Sequence, residues 1–261
     1  MEVKGYGVSR LSIIPIRSQP KDSAELVSQL LFGEHYIILE STADLKWLKI
    51  HNAFDEYEGW IDAKQHHNIS KPYFQQINDS EYQICTDLVA KILSNHEANY
   101  ITSGAIVPLL NNPIFKNEEN VSFSGTSKSL YQKVGASTLI AFAKKYLNTP
   151  YLWGGRTPFG IDCSGFTQVV YRMGGYRLLR DSSQQIKQGE AIQLEDAREG
   201  DLAFFTNHEG KMNHVGLLLS NQEVIHASGQ VSIDSLDEKG IYNKDSKEYT
   251  HHLFKIKRIL K

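Results

Sequence analysis

The chain has 261 residues, a formal net charge of −2, and a composition of 41% hydrophobic and 22% charged residues. This length exceeds that of a typical single domain, so we expect two or three domains. The small charge gives no reason to expect nucleic acid or an anionic membrane as a partner, and no apolar run is long enough to span a bilayer. The first residues lack the apolar stretch of a signal peptide, which favours a cytoplasmic location, or a periplasmic or secreted one if a leader has been removed.

The first part of the chain, residues 1–68, alternates short apolar runs with polar breaks, which is typical of a small β-barrel. Strands are predicted at 8–17, 35–41, 46–52 and 58–62. Residues 23–34 fit either a strand or a helical turn.

Residues 69–130 are less regular and are predicted to form a second, degenerate barrel or a linking subdomain. The prolines and asparagines of residues 107–120 predict a loop. Cys85 lies in an apolar stretch of this region, where a buried small hydrophobic side chain is expected.

Residues 131–261 are predicted to form an α+β domain, because helical patterns come first and strands follow. Apolar residues recur at helical spacing over 135–147, and a second helix is expected to begin near Cys163. Strands are then predicted at 201–207, 214–220, 223–229 and 251–260, in an antiparallel sheet.

Cys163 is the candidate nucleophile. It follows a glycine-rich segment and opens the second helix of this domain. The unpaired N–H groups and the positive dipole of a helix start favour thiolate, so we expect the pKa of Cys163 to fall well below the free value of ~8.5. The same N–H groups can stabilise an oxyanion.

His214 and His226 are the candidate base and the residue that orients it. Both lie in apolar strands, twelve residues apart, so paired antiparallel strands would bring their rings together. The alternatives are two hydrogen-bonded core histidines, or a zinc site with Cys163, although neither a CxxC pair nor an HExxH helix supports zinc.

The segments LWGGRTPFGIDCSGFTQVVYR, GDLAFF, HVGLLL and VIHASG resemble, in order, the signatures of the NlpC-type cell-wall cysteine peptidases. The resemblance implies a papain-like fold, Cys163, His214 and His226 as catalytic residues, and no metal or organic cofactor. It also implies cleavage after γ-linked D-glutamate in the stem peptides of peptidoglycan.

The stretches IIPIR, AELVSQLLFGE, WLKI and DEYEGWI resemble the bacterial SH3-like barrels of one branch, the γ-D-glutamyl-L-diamino acid endopeptidases. In that branch an acidic residue of the barrel holds the free amine of the leading L-alanine. The resemblance implies substrate-binding roles for seven residues: Glu25, Tyr57, Tyr151, Trp153, Asp162, Ser164 and Ser182. Helix capping is an alternative for Asp162 and Ser182, and core packing for the two aromatic residues Tyr151 and Trp153.

We therefore expect an endopeptidase that acts on L-Ala-γ-D-Glu-diamino acid peptides with a free amine, as in the recycling of murein peptides. The diamino acid can be diaminopimelate or lysine, and the sequence does not indicate an oligomeric state. The alternatives are a non-catalytic peptidoglycan-binding protein and an acyltransferase on a papain-like scaffold.

Overall fold

The structure is a computed structural model that describes residues 3–94, 97–107, 121–207, 209–243 and 246–260. The chain divides into two compact units. The N-terminal unit comprises Met1–Gln132 and Trp153–Thr157, and the C-terminal unit comprises Lys133–Leu152 and Pro158–Lys261.

The first seven strands form one antiparallel sheet around an apolar core. They are β1 (Gly5–Val8), β2 (Ile13–Arg17), β3 (Leu26–Leu31), β4 (His35–Ser41), β5 (Trp47–Asn52), β6 (Glu58–Asp62) and β7 (His67–Ile69). Their order in the sheet is β3-β2-β6-β5-β4-β1-β7. Alternation along β2 buries Ile14 and Ile16 against Leu30, Ile50 and Ile61. The strands predicted at 35–41, 46–52 and 58–62 are confirmed, and the one predicted at 8–17 forms β2 only over Ile13–Arg17.

The ambiguous stretch 23–34 contains a strand, β3. Ile13 pairs with Leu31 and Ile14 with Leu30. Because this stretch can pair with β2, it forms a strand and not a helical turn.

Over its described residues, the rest of the N-terminal unit holds one α-helix and short strands. They are α1 (Lys71–Asp79), β8 (Gln83–Cys85), β9 (Val89–Ser94), β10 (Glu97–Thr102), β11 (Ile106–Val107), β12 (Val121–Ser124), β13 (Ser127–Ser129) and β14 (Arg156–Thr157). Three-stranded sheets form in the orders β10-β9-β12 and β11-β8-β13. Cys85 is buried in an apolar cluster with Phe32 and Ile92, as expected. The choice between a second barrel and a linking subdomain stays a prediction, and residues 108–120 of the expected loop lie outside the described residues.

The segment Trp153–Thr157 is fixed against β3 and the turn after it by the fully buried side chain of Arg156. Arg156 donates to both carboxylate oxygens of Glu34, at 2.9 and 3.0 Å, and to the carbonyl of Gln29 at 2.6 Å. Gly154 has φ +76°, and a Cβ there would lie 2.4 Å from the carbonyl oxygen of Leu26, so only glycine fits. The sequence did not predict that this segment belongs to the N-terminal unit.

In the part that the structure describes, the C-terminal unit has three α-helices and eight strands. The helices are α2 (Ala136–Lys144), α3 (Cys163–Met173) and α4 (Ser182–Gln185). The strands are β15 (Gly160–Ile161), β16 (Glu190–Ile192), β17 (Leu202–Thr206), β18 (Met212–Leu218), β19 (Glu223–Ser228), β20 (Gln230–Leu236), β21 (Gly240–Asn243) and β22 (Glu248–Arg258). The sheet order is β16-β22-β17-β18-β19-β20-β21, and a further pairing of β21 with β22 closes six strands into a ring. The helices precede most of the strands in the chain, and the strands form an antiparallel sheet. This confirms the α+β prediction.

Helix α3 lies between α2 and the sheet, and all of its residues are buried. It packs on β18 and β19. This packing carries the first residue of α3, Cys163, to the strands that hold His214 and His226.

Candidate active site

Asp162 is the residue that starts helix α3. Its extended backbone (φ −91°, ψ 173°) and its carboxylate, which accepts a 2.6 Å bond from the N–H of Gly165, form an N-cap. Cys163 is therefore the first helical residue, as predicted. The capping alternative for Asp162 is confirmed, and its contact with a substrate stays a prediction.

The Asp162 carboxylate also forms a buried ion pair with Arg180, which the sequence did not indicate. Arg180 donates to both carboxylate oxygens, at 3.0 and 2.6 Å, and to the hydroxyl of Ser164 at 2.9 Å. The Ser164 hydroxyl in turn lies 3.3 Å from Asp162 Oδ1. Two predicted substrate-binding residues thus share one ion-paired network beside the thiol.

The prediction of a lowered thiol pKa at Cys163 is wrong. Burial, and next the negative charge of Asp162, raise the pKa of Cys163 to about 12. Hydrogen bonds from the backbone N–H groups of Val215 and Ser164, and the charge of Arg180, act in the opposite direction but are outweighed. The helix start is present as expected. Cys163 is only 6% exposed, however, and the desolvation of its side chain makes the pKa shift positive.

His214 and His226 meet on neighbouring strands, as predicted. Gly216 of β18 lies opposite His226 of β19, so the two histidines are diagonal neighbours on one face. The Nε2 atom of His214 lies 2.8 Å from Nδ1 of His226. A Cβ at position 216 would lie 2.5 Å from Val224 Cγ2 and 3.0 Å from His226 Cβ, so the glycine makes room for this approach.

Burial lowers the pKa of His214 well below 6.5, and the neighbouring rings of His226 and His251 add to the effect. His251, on β22, stacks on His214 with ring centroids 4.2 Å apart and an angle of 26°. At neutral pH the His214 imidazole and the Cys163 thiol are therefore both neutral. A neutral imidazole can accept a proton from a neutral thiol as the sulfur attacks, as in general-base catalysis.

Two residues that the sequence analysis missed extend this row of histidines. Asp234 Oδ2 lies 3.0 Å from His226 Nε2 and accepts a 2.8 Å bond from the hydroxyl of Ser232. Both lie on β20, which pairs with β19. The register places Ser232 opposite His226, but no motif in the sequence marks the carboxylate.

Tyr151 and Ser182 lie in the same unit. Burial, followed by the charges of Cys163 and Asp162, raises the pKa of Tyr151, so its phenol stays protonated near the thiol. Ser182 is not a helix cap, because Asp181 caps α4. The buried Gln185 of α4 donates to the carbonyl of Ser164, which ties α4 to the first turn of α3.

The N-terminal unit holds the other predicted substrate-binding residues. Trp153 is 59% exposed, and its Nε1–H donates to Glu25 Oε1 at 2.7 Å. The sequence therefore named two residues that the fold of this unit brings together. Tyr57 is half-buried in the connection between β5 and β6.

Within the described ranges no three histidine, cysteine, aspartate or glutamate side chains are grouped to hold a metal ion. No helix in the part of the chain that the structure describes is long and apolar enough to cross a membrane.

Comparison with known proteins gives consistent matches to one family. The pattern of the NlpC/P60 family matches residues 148–250, and that of the bacterial dipeptidyl-peptidase Sh3 domain matches residues 16–65. The γ-D-glutamyl-L-lysine dipeptidyl-peptidase of Bacillus subtilis (strain 168) is 30% identical over 238 residues, which cover 84% of this chain and 78% of that protein. Dipeptidyl-peptidase 6 of Lysinibacillus sphaericus is 28% identical, over 87% of this chain and 91% of that protein.

Solved structures share the fold. A crystal structure of an NlpC/P60 family protein from Bacillus cereus ATCC 10987 superposes with a TM-score of 0.79 at 22% identity, and covers 98% of this chain and 100% of that one. An NlpC/P60 endopeptidase from Photobacterium damselae subsp. piscicida gives 0.72 at 16% identity, over 98% of this chain and 72% of that one. The chain belongs to the NlpC/P60 family of peptidoglycan peptidases and carries an N-terminal SH3 domain of the bacterial dipeptidyl-peptidase type.

Proposed function

We propose that this protein is a cysteine endopeptidase with a papain-like catalytic domain. It hydrolyses the bond between γ-linked D-glutamate and the diamino acid in stem peptides that begin with a free L-alanine. The observation that carries the proposal is the 2.8 Å bond between His214 and His226, on the two strands against which the helix of Cys163 packs. The γ-D-glutamyl-L-lysine dipeptidyl-peptidase of B. subtilis supports the substrate class by similarity.

The reaction begins with a neutral pair. Because His226 engages Nε2 of His214, Nδ1 is the ring nitrogen left to take the proton of the Cys163 thiol. The sulfur attacks the γ-carbonyl carbon of D-glutamate, and N–H groups at the start of α3 stabilise the oxyanion. The C–N bond breaks as His214 returns its proton to the leaving amine. Water, deprotonated by His214, then hydrolyses the thioester.

The amine of L-alanine is proposed to bind at Glu25. The 2.7 Å bond from Trp153 holds this carboxylate in one position, and the exposed indole beside it offers a ring face to a cation. Acylation of the amine would leave the carboxylate without its charged partner. The proposed enzyme therefore acts on released peptides, as in recycling, and not on stem peptides still attached to glycan.

The amine requirement is tested by comparing kcat/KM on L-Ala-γ-D-Glu-L-Lys, on its diaminopimelate counterpart and on the N-acetylated form of each. We expect the loss on acetylation to be about a hundredfold or more, the size of one unpaired charged group. Equal rates on free and acetylated peptides, or efficient digestion of intact sacculi, would refute the requirement. A purely peptidoglycan-binding protein would cleave none of them.

A further inference from the structure

The carboxylate of Asp234 lies at the end of a row of hydrogen-bonded side chains that begins at His214 and continues through His226. We propose that Asp234 is a positioning residue that fixes the tautomer of His226 and, through it, the tautomer of His214. The inference rests on the proposed function, in which His214 receives the Cys163 proton at Nδ1.

The direction of the first hydrogen bond follows from chemistry alone. Asp234 Oδ2 lies 3.0 Å from Nε2 of His226, and an ionised carboxylate can only accept. His226 must therefore carry its hydrogen on Nε2. The bonds from His226 and Ser232 hold the pKa of Asp234 below its ordinary value, which keeps the carboxylate ionised at neutral pH.

The second bond follows from the first. A neutral imidazole has one N–H, so Nδ1 of His226 is a lone pair and accepts. Nε2 of His214, 2.8 Å away, must then be the donor. His214 is thereby left with a lone pair on Nδ1, which is the tautomer that can take a proton from the thiol.

Without Asp234 the chain of bonds could run in either direction. His226 could carry its hydrogen on Nδ1 and donate to Nε2 of His214, which would place the hydrogen of His214 on Nδ1. In that tautomer His214 has no lone pair for the thiol. Loss of Asp234 should therefore lower kcat and leave substrate binding unchanged.

The carboxylate also supplies charge when His214 becomes an imidazolium. The groups that face His214 otherwise disfavour a positive charge, because burial, then the ring of His226 and then the stacked ring of His251 lower its pKa. Arg180, another cation of this unit, acts on the Cys163 thiol and is paired with Asp162. Asp234 is the anion that reaches His214 through a hydrogen-bonded partner, His226.

The test that does not depend on activity is a ¹⁵N NMR measurement of histidine tautomers in the full chain carrying Cys163→Ala, at about pH 8, where imidazoles are neutral. We expect one tautomer, N–H at Nε2, for both His214 and His226. Adding Asp234→Ala should give mixed or reversed tautomers at both rings. Unchanged tautomers in the Asp234→Ala protein would overturn the proposal. This result stands even if the protein proves to cleave no peptide.

The kinetic test uses Asp234→Asn, which is nearly isosteric, together with Asp234→Ala. We expect kcat to fall by about tenfold or more in both and KM to stay within about twofold, since an orienting carboxylate acts on the proton-transfer step. Asp234→Glu should recover part of the loss. The matched control is Asp237→Asn, which removes a carboxylate bonded to Tyr249 instead of a histidine. A kcat in Asp234→Asn equal to that of the control would contradict the proposal.

Discussion

The Nε2 atom of His214 and the Nδ1 atom of His226 lie 2.8 Å apart, and both rings are buried. One hydrogen atom is shared along this line, and in the proposed mechanism Nδ1 of His214 is left for the thiol. In the proposed mechanism this relationship distinguishes the two histidines, because His214 transfers a proton to or from sulfur and His226 orients it.

Removal of each ring should therefore have a different effect. His214→Ala should reduce kcat by about a hundredfold to ten-thousandfold, the range for a general base, and His226→Ala should cost less. Steady-state kinetics on L-Ala-γ-D-Glu-L-Lys measures both. A harsher loss in His226→Ala would show that the two roles are reversed. Treatment with a chelator should change nothing, and activity lost to EDTA and restored by zinc would favour the metal alternative.

The two cysteines should behave in opposite ways. Cys163→Ser should abolish hydrolysis while the protein stays folded, because a hydroxyl is a far weaker nucleophile than a thiol at the same base. Cys85→Ser should keep kcat within about twofold, since that thiol lies in the core of the N-terminal unit and contacts the carbonyl of Asp87. Circular dichroism and kcat on both variants check this. Hydrolysis by Cys163→Ser within a few-fold of the unmodified chain would remove Cys163 from its role.

The resting thiol should be unreactive at neutral pH. Because burial raises the pKa of Cys163 to about 12, the rate of alkylation by iodoacetamide should rise about tenfold per pH unit from pH 7 to 9. Mass spectrometry of the Cys163 peptide gives the rate. A rate that is already independent of pH near neutrality would reveal a preformed thiolate–imidazolium pair instead.

His214 should contribute to acid unfolding. Folding lowers its pKa, so the folded state binds fewer protons than the unfolded chain below about pH 6.5. The stability it contributes is complete above that pH and is lost as the pH falls, at up to about 1.4 kcal/mol per unit. Urea unfolding at pH 6.5 and at pH 5.5 gives the free energy of unfolding at each pH. Between the two, His214→Gln should lose less of this free energy than the unmodified chain. The exposed His67→Gln is the control, and equal losses in all three proteins would contradict this account.

Charge at Glu25 should set the preference for a free amine. Glu25→Gln should lower kcat/KM on the free peptide by about tenfold to a hundredfold. The ratio of kcat/KM on the free peptide to that on the acetylated peptide should therefore become smaller. Trp153→Phe, which removes the 2.7 Å donor but keeps an aromatic ring, should have a smaller effect in the same direction. Asp22→Asn is the charge-matched control, because Asp22 is an exposed carboxylate near Glu25 in sequence. An undiminished preference in Glu25→Gln would leave Glu25 as a surface residue.

Much of the architecture could be predicted, because the spacing of apolar residues indicates strands and helices and the turn-forming residues indicate where they end. Strand alternation around Ile14 and Ile16, and the helical pattern before Asn148, were readable without tertiary information. The position of Cys163 at a helix start and the proximity of His214 and His226 also followed from local spacing.

The remaining features depend on long-range packing. The pKa of Cys163 is decided by burial, which the glycines and small polar residues around it do not indicate. Asp234 and Arg180 reach the site from other elements, and an aspartate or arginine in a strand or loop has no signal of its own in one sequence. The attachment of Arg156 to Glu34 joins residues 122 positions apart.

The most direct test of the central claim is to identify the products formed by the unmodified chain and by Cys163→Ser. Liquid chromatography with mass spectrometry would follow L-Ala-γ-D-Glu-L-Lys, its diaminopimelate counterpart and the isomer linked through the α-carboxyl of glutamate. We expect the unmodified chain to release L-Ala-D-Glu and the free diamino acid from a γ-linked peptide only, and Cys163→Ser to release nothing. Cleavage at the alanine bond, equal cleavage of the α-linked isomer, or products from Cys163→Ser would contradict the assignment.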